Sequence, residues 1–328
     1  MTKSSQSEYT DIIVDKPYPI GYITINRPEK RNALAHSTVT QLNKAFNEMR
    51  LDPEIRVFVV RGAGDCFCAG FDLGRFDEGI FTPAKNVPQS VDWVKPVQFE
   101  PWARFSRVNS RDLSNPESAP LDQRHSPFWA GLWENPKPCI AQVHSFCLGA
   151  GLWISNECDI TYATPNAVFA YPPPRYGSAV VLEIVPPWLL GRKKTMEMAF
   201  TGKAITAKEA YNFRLINKII PEDQIDGEVK KLAESITRIP PITNMFSKRA
   251  INNYFSNLGI EQANRFGEAL MDMMENSNLP GHYLEMFERV RQKGLREALR
   301  IQRDNYGYPD EIMTKESARL KAEKEKSS

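Results

Sequence analysis

Residues 144–153 read His144-Ser-Phe-Cys-Leu-Gly-Ala-Gly-Leu-Trp153. They follow the apolar run 138–143, which is typical of a buried strand, and they open a stretch with helical spacing of apolar residues. Small residues in such a turn let a ligand approach the backbone closely, and a helix N-terminus offers N–H groups that have no partner within the helix. The pattern therefore predicts a strand–turn–helix unit whose turn can bind a partly negative group.

A second glycine turn lies upstream of the first. Asp65-Cys-Phe-Cys-Ala-Gly-Phe-Asp-Leu73 comes soon after the β-branched run 55–60, which reads as a strand. If the two turns face each other, their N–H groups can bind one developing oxyanion, which is electrostatic catalysis by the backbone. Spacing alone leaves a purely structural role open for both turns, because glycine turns between strands and helices are common.

The rest of the sequence indicates an α/β protein. Residues 20–25, 160–163 and 167–170 read as further strands, and the chain after residue 190 is helical in pattern. Helices are expected over 222–238, 241–256, 259–275 and 283–303. We expect four regions: a frayed tail over 1–10, a core over 11–220 with an insertion at about 74–128, a helical region over 221–305, and a charged tail, solvated or disordered, over 306–328.

Composition limits the class of partner. The chain has 328 residues with 42 Lys plus Arg and 40 Asp plus Glu, so a net charge of +2 gives no electrostatic reason to expect nucleic acid or an anionic membrane. The sequence contains no run of 18 apolar residues, so it does not predict a membrane-spanning helix. Five cysteines among apolar neighbours favour reduced thiols in the cytoplasm, and Cys66 and Cys68 lack the spacing of a zinc site. We therefore expect a cytoplasmic protein without a metal.

Several ordered motifs resemble the crotonase (enoyl-CoA hydratase/isomerase) superfamily. The motifs that carry the resemblance are Asn26-Arg-Pro-Glu-Lys-Arg-Asn-Ala-Leu34, Phe67-Cys-Ala-Gly-Phe-Asp-Leu73, Pro136-Lys-Pro-Cys-Ile-Ala-Gln-Val143, Leu148-Gly-Ala-Gly151 and Cys158-Asp-Ile160. The resemblance implies a crotonase-like spiral of ββα units followed by a helical C-terminal region that mediates trimer contacts. It also implies a coenzyme A thioester as substrate, no separate cofactor, and a homotrimer or a dimer of trimers.

The resemblance also assigns roles to residues of the two turns. It implies that Phe71 and Ala150 each donate a backbone N–H to the thioester oxygen, with Gly149 beside them. Lys30 and Arg31 would face the phosphates of coenzyme A, although a solvated turn remains an alternative. The further residues placed along the substrate are Ala33, Ala69, Leu73 and Lys248. Asp72 is interpreted as a carboxylate that fixes its turn and borders the same path.

The chain departs from the family at the positions that matter most for chemistry. The two glutamates that the family's hydratases use fall at Trp153 and Pro173, and neither residue can transfer a proton. The aspartates of the dienoyl isomerases and of the dehalogenase fall near Val180 and Val181. The stretch Phe169-Ala-Tyr-Pro-Pro-Pro-Arg-Tyr-Gly-Ser178 instead resembles the dihydroxynaphthoyl-CoA synthases and the ring-opening oxoacyl-CoA hydrolases, which also lack the second glutamate.

Other residues must then supply protons. The candidates are Glu183, as the nearest acid, Tyr171 beside the proline run, and His125 at the end of the insertion. Together with Trp153 and Pro173, Tyr176 would line the acyl pocket and favour a cyclic acyl group. Three hypotheses remain: an enzyme that adds water, by hydration or by hydrolytic ring opening; a double-bond isomerase; and a non-catalytic acyl-CoA-binding protein.

Overall fold

Two β-sheets and a series of C-terminal helices form the protein, whose computed structural model describes residues 9–74, 128, 131–176, 181–275, 283–306 and 310–327. The strands are β1 (Ile12–Asp15), β2 (Ile20–Ile25), β3 (Val57–Gly62), β4 (Cys139–Val143), β5 (Phe146–Leu148), β6 (Ile160–Ala163), β7 (Val168–Ala170), β8 (Ile205–Thr206) and β9 (Lys218–Ile219). The helices are α1 (His36–Leu51), α2 (Ala150–Glu157), α3 (Pro187–Thr201), α4 (Ala207–Asn212), α5 (Ile225–Thr237), α6 (Pro241–Asn257), α7 (Ile260–Glu275), α8 (Tyr283–Lys293), α9 (Leu295–Tyr306) and α10 (Glu311–Ser327).

The larger sheet has the order β1-β2-β3-β4-β6-β9 and is parallel except for the antiparallel pair at β1. Helices cover both of its faces: Phe46 of α1 packs in one apolar cluster with Val60, and Val229 of α5 packs in another with Val59. Parallel strands that are covered on both faces carry continuous apolar runs, as β3 and β4 do.

The smaller sheet has the order β5-β7-β8. Strands of the two sheets alternate along the chain, because β4 is followed by β5 and then α2, and β6 is followed by β7. This repetition confirms the predicted crotonase-like spiral of ββα units, and the C-terminal region is helical as expected.

A glycine divides the last of the predicted helices. The pattern over 283–303 predicts one helix, but the structure has α8 and α9, separated at Gly294. Gly294 has a φ of +78°, a left-handed conformation that ends a helix and that glycine adopts at little cost. The predictions over 222–238, 241–256 and 259–275 agree with α5, α6 and α7 to within a few residues.

Both ends of the described chain are better anchored than the sequence predicts. Tyr9 is buried and donates to Glu48, and the Thr10 N–H donates to Gln41 Oε1 at 2.9 Å, so the expected frayed tail is wrong for these two residues. The charged tail forms α10, which packs on the smaller sheet through the buried Leu320. Ile312 and Met313 pack on the same apolar cluster, and Lys324 lies 2.7 Å from Asp65, so several contacts dock this helix.

Candidate active site

The two glycine turns meet. Cys68 and Cys147 form a parallel bridge, and the Leu148 N–H donates to the Cys68 carbonyl at 2.9 Å. Gly70 has a φ of +95° and Gly149 a φ of +50°, a region that side chains disfavour. A Cβ on Gly70 would lie 3.0 Å from the Leu148 carbonyl oxygen. The missing Cβ at Gly70 therefore permits this close approach, and glycine at position 149 accommodates the positive φ of that turn.

The residues expected to donate to the thioester oxygen follow these two glycines. Ala150 is the first residue of α2, where the helix itself does not use the N–H. Its nitrogen lies 3.7 Å from the position that a Cβ on Gly70 would take. Phe71 pairs with Leu34 in a parallel bridge that fixes the backbone on either side of it. The structure thus places Phe71 and Ala150 on adjoining turns.

A buried ion pair fixes the Gly70 turn. An Arg27 guanidinium nitrogen lies 3.0 Å from Asp72 Oδ2, and both side chains are buried. Asp72 also accepts the Gly74 N–H at 3.1 Å, and Arg27 donates to the Ala33 carbonyl. Asp72 therefore fixes its turn, as interpreted from the sequence. Arg27 was overlooked, although it lies in the same motif as the two cations that were singled out.

Those two cations are exposed. Lys30 ends a short 3-10 turn, and Arg31 follows it with a φ of +51°. The Arg31 guanidinium lies 5.5 Å from the centre of the Phe146 ring. The backbone carbonyl of Arg31 accepts the Ala69 N–H at 3.0 Å. Ala33, Ala69 and Leu73 are each partly exposed. A phosphate can reach Lys30 and Arg31, and that contact stays a prediction.

Lys248 has a different setting. Its ammonium lies 2.8 Å from Asp159 Oδ2 and 2.7 Å from the Leu132 carbonyl, and the side chain is buried. Burial lowers the pKa of Lys248, but the nearby Cys139 and Asp159 outweigh burial and leave the pKa raised. This is the arrangement of a structural cation, and it disagrees with the expected contact between Lys248 and coenzyme A.

Glu183 and Trp153 lie together. The Trp153 indole N–H donates to Glu183 Oε2 at 2.9 Å, and the Asn264 amide on α7 donates to Glu183 Oε1 at 2.9 Å. Glu183 is only 3% exposed. The structure thus joins the candidate acid to the residue that stands where the resemblance expects a glutamate. Asn264 carried no local signal in the sequence, because its partner lies 81 residues away.

Two helices hold the backbone around Glu183. The Asn156 amide on α2 donates to the carbonyls of Glu183 and Ile184 at 3.1 and 2.9 Å. On α7, a Cβ at Gly267 would stand 3.7 Å from Leu182, so the helix packs closely here. Glu183 is therefore a fixed group rather than a side chain on an unsupported loop.

For the other proposed site residues, the described contacts do not lead to the two glycine turns or to Glu183. Tyr171 is buried in the main core after β7, and Pro173 begins a 3-10 turn and is partly exposed. Arg175 donates to the Thr201 carbonyl and to Asp310, both at 3.1 Å. His125 and the Tyr176 side chain lie outside the described residues.

The cysteines are buried and free, and burial raises the pKa of the Cys66 and Cys68 thiols to about 12. In the described part of the chain, no group of three or more His, Cys, Asp or Glu side chains could hold a metal ion. Within the same ranges no helix is long and apolar enough to cross a bilayer.

A ββα spiral with paired glycine turns at the start of an inner helix is the architecture of the crotonase class. The chain belongs to the enoyl-CoA hydratase/isomerase family, whose sequence profile matches residues 15–92 and 112–285. Family membership makes it an acyl-CoA-processing protein.

Individual relatives agree with this assignment. EchA13 of Mycobacterium tuberculosis (strain ATCC 25618 / H37Rv), whose name places it among enoyl-CoA hydratases, is 30% identical over 247 residues, which is 74% of this chain and 73% of its own. The mevalonyl-coenzyme A hydratase sidH of Aspergillus fumigatus is 27% identical over 265 residues, 79% of this chain and 84% of its own. An enoyl-CoA hydratase/isomerase structure from Xanthobacter autotrophicus Py2 superposes with a TM-score of 0.72 at 27% identity, over 92% of this chain and 99% of that one.

Proposed function

We propose that the protein is an enzyme that binds an acyl-CoA thioester and stabilises its enolate through the N–H groups of Phe71 and Ala150. The support is the close packing of Gly70 and Gly149, which puts the two following residues on adjoining turns. A backbone donor aimed at a developing oxyanion contributes roughly 3 to 4 kcal/mol to the stability of the transition state. Lys30 and Arg31 serve in this proposal as the cations for the coenzyme A phosphates.

Glu183 is the proposed general acid and base. The observation that carries this role is its 2.9 Å hydrogen bond to Trp153, the residue at the family's first glutamate position. Among the described residues two N–H groups donate to the carboxylate, and an ionised carboxylate can accept a proton on either oxygen. Glu183 therefore offers a proton acceptor beside Trp153, the residue that stands where the usual glutamate is missing.

The proposed reaction is the addition of water, either hydration of an enoyl-CoA or hydrolytic opening of a cyclic oxoacyl-CoA. The hydratase names of two relatives support water addition. Aromatic and proline side chains support a cyclic acyl group: Trp153 packs edge-on against Phe128 with ring centres 6.0 Å apart, and Tyr171 and Pro173 follow β7 nearby in sequence.

Double-bond isomerisation is the second candidate. With Trp153 and Pro173 at the two glutamate positions, Glu183 can act as a single base that removes a proton at one carbon and returns it at another. This reaction needs one carboxylate rather than two, and it needs no bound water.

A homotrimer, alone or as a dimer of trimers, is the proposed assembly. The apolar side chains of Ile242, Phe246 and Tyr254 on α6, and of Leu258 just after it, are spaced by multiples of four residues and are 55–61% exposed. Exposed apolar side chains in one row favour burial against another protein surface, and a second copy of this chain is the proposed partner. The buried free thiols fit the proposed cytoplasmic location.

The test uses panels of cyclic oxoacyl-CoA and enoyl-CoA esters with the full-length protein in deuterium oxide. Water addition with deuterium at the α carbon supports the leading proposal, and deuterium exchange with a shifted double bond but no added water supports isomerisation. Micromolar binding of the esters without any exchange or product would contradict both and favour a binding protein.

A further inference from the structure

Asn264 is placed to act on the Glu183 carboxyl group itself. It lies on α7, is 3% exposed, and donates its amide N–H to Glu183 Oε1 at 2.9 Å. We infer that Asn264 is a positioning residue for Glu183, and that its amide can serve the carboxyl group in both the ionised and the protonated form. This assignment rests on the proposed role of Glu183 as acid and base.

The two oxygens of Glu183 have chemically different neighbours. The Trp153 indole N–H can only donate, so Oε2 is always met by a donor. An amide can donate through its nitrogen or accept through its oxygen. Of the two neighbours, Asn264 alone can therefore receive a hydrogen bond from a protonated Glu183.

The oxygen of the Asn264 amide is available for that purpose. Asn264 Oδ1 is buried and has no hydrogen-bond partner among the described residues. A buried acceptor without a partner is destabilising, so its retention calls for a reason. If the amide turns over when Glu183 becomes protonated, Oδ1 accepts the new O–H, and no existing acceptor bond is lost.

The surrounding structure holds the backbone near Glu183, so the turning of the Asn264 amide involves side chains only. Asn156 holds the carbonyls of Glu183 and Ile184 from α2, and α7 packs closely on Leu182 at Gly267. Because the backbone is fixed from both sides, Asn264 influences the position and the hydrogen bonding of the carboxyl group rather than the fold of the turn.

The proton balance of the step is simple. The substrate C–H bond breaks, its electron pair enters the enolate, and an O–H bond forms on Glu183 while the Asn264 amide turns to accept it. Return of the proton reverses each change. No electron is gained or lost and no further reactant is needed.

The test compares Asn264→Leu, which keeps a similar volume without hydrogen bonds, with the control Asn252→Leu, which removes an asparagine that binds the Trp133 carbonyl from α6. We expect Asn264→Leu to lower kcat for α-proton exchange by at least tenfold, with KM for the acyl-CoA within twofold. The control is expected to leave both constants unchanged. Unaltered exchange in Asn264→Leu would overturn the inference.

A second readout does not depend on activity. The chain has 6 tryptophans, and ¹⁵N-labelled indoles give one resonance each, with that of Trp153 assigned by Trp153→Phe. We expect Asn264→Leu to shift the Trp153 indole resonance, because Glu183 loses a donor that helps to orient it. A shift in a protein that exchanges no substrate proton would refute the proposed function and retain the positioning role. No shift, in a protein that does exchange, refutes the positioning role.

Asn264→Asp decides the matter if the leucine variant does not fold. It keeps the shape and the acceptor oxygen but replaces the donor N–H by a second oxygen, which repels the Glu183 carboxylate. We expect slower exchange with unchanged substrate binding and a shifted Trp153 resonance. Wild-type exchange together with a wild-type resonance in this variant would also overturn the inference.

Discussion

The indole nitrogen of Trp153 lies 2.9 Å from Oε2 of Glu183, and the two side chains are 7% and 3% exposed. They come from α2 and from the turn before α3, so the fold supplies a carboxylate at a place where the local sequence has none. A hydrogen bond to a carboxylate that is screened from water is stronger than its exposed equivalent. Glu183 is therefore held in one orientation.

Glu183→Gln keeps the shape of the side chain but removes its ability to exchange a proton. We expect the rate of α-proton exchange to fall by about 10² to 10⁴-fold, the usual contribution of a general acid or base. Acyl-CoA affinity, measured by calorimetry, should change by less than about threefold, since the oxyanion turns are untouched. Glu197→Gln, at an exposed position on α3, is the control. Full exchange in Glu183→Gln would exclude this residue as the acid and base.

Gly70→Ala tests the close approach of the two turns. The φ of +95° strains any residue with a Cβ, and that atom would stand 3.0 Å from the Leu148 carbonyl oxygen. We expect a loss of about 1 to 3 kcal/mol in the free energy of unfolding and at least a tenfold loss of exchange activity. The measurements are urea denaturation and deuterium incorporation.

Gly227→Ala serves as the matched control for that substitution. Gly227 lies in the exposed part of α5, and a Cβ there meets nothing within 4 Å. Because alanine favours helix more than glycine does, we expect a gain of about 0.5 to 1 kcal/mol in the free energy of unfolding, with activity unchanged. Equal behaviour of the two variants would show that the turn tolerates a side chain.

We expect the Arg27–Asp72 ion pair to stabilise the fold, and each of its two residues to depend on the other. Asp72→Ala leaves the buried Arg27 guanidinium without its carboxylate, so the free energy of unfolding should fall by about 3 to 5 kcal/mol. The double variant Arg27→Met/Asp72→Ala removes both charges of this pair and should lose less than Asp72→Ala alone, although Asp11, 4.0 Å from Arg27 Nε, also loses a partner. A double-mutant cycle by urea denaturation measures the difference. Additive losses would mean that the two charges do not depend on each other.

Alkaline conditions should destabilise the protein through its buried thiols. Burial raises the pKa of Cys66 and Cys68 from 9.0 to about 12, so between these values the unfolded thiols release protons that the folded ones retain. The free energy of unfolding should therefore be fully maintained below pH 9 and decline as the pH rises towards 12. In Cys66→Ala/Cys68→Ala this decline should be shallower, as followed by urea denaturation at pH 8 to 11. An identical slope would assign the alkaline effect to other groups.

Regular periodicity made much of the fold predictable. Continuous apolar runs identified β3 and β4, and helical spacing identified α5, α6 and α7, because these patterns depend on neighbours in the chain. The meeting of the two glycine turns was only a condition of the sequence-based hypothesis, and the structure fulfils it because the strands before them pair within one sheet. Short strands such as β8 and β9 were missed, because two residues have no measurable period.

The supporting contacts of the candidate site could not be predicted in the same way. Arg27 reaches Asp72 across 45 residues, and Asn264 reaches Glu183 across 81. Such pairs leave no mark in the local sequence, because what selects each residue is a partner that only the folded chain brings near. The burial of Lys248 was missed for the same reason: a lysine in an amphipathic helix looks solvated until Asp159 is known to lie beside it.

Glu183 accepts hydrogen bonds from both α2 and α7, and this has a consequence for biosynthesis. While the ribosome is still translating the C-terminal helices, the glycine turns of the nascent chain can already form, but Glu183 still lacks the donor that Asn264 of α7 supplies. On the proposed function, a premature stop codon between these helices would yield a fragment that has both glycine turns but an incompletely held carboxylate. The proposed acid–base group would be complete only after α7 has been made, long after the turns that bind the thioester.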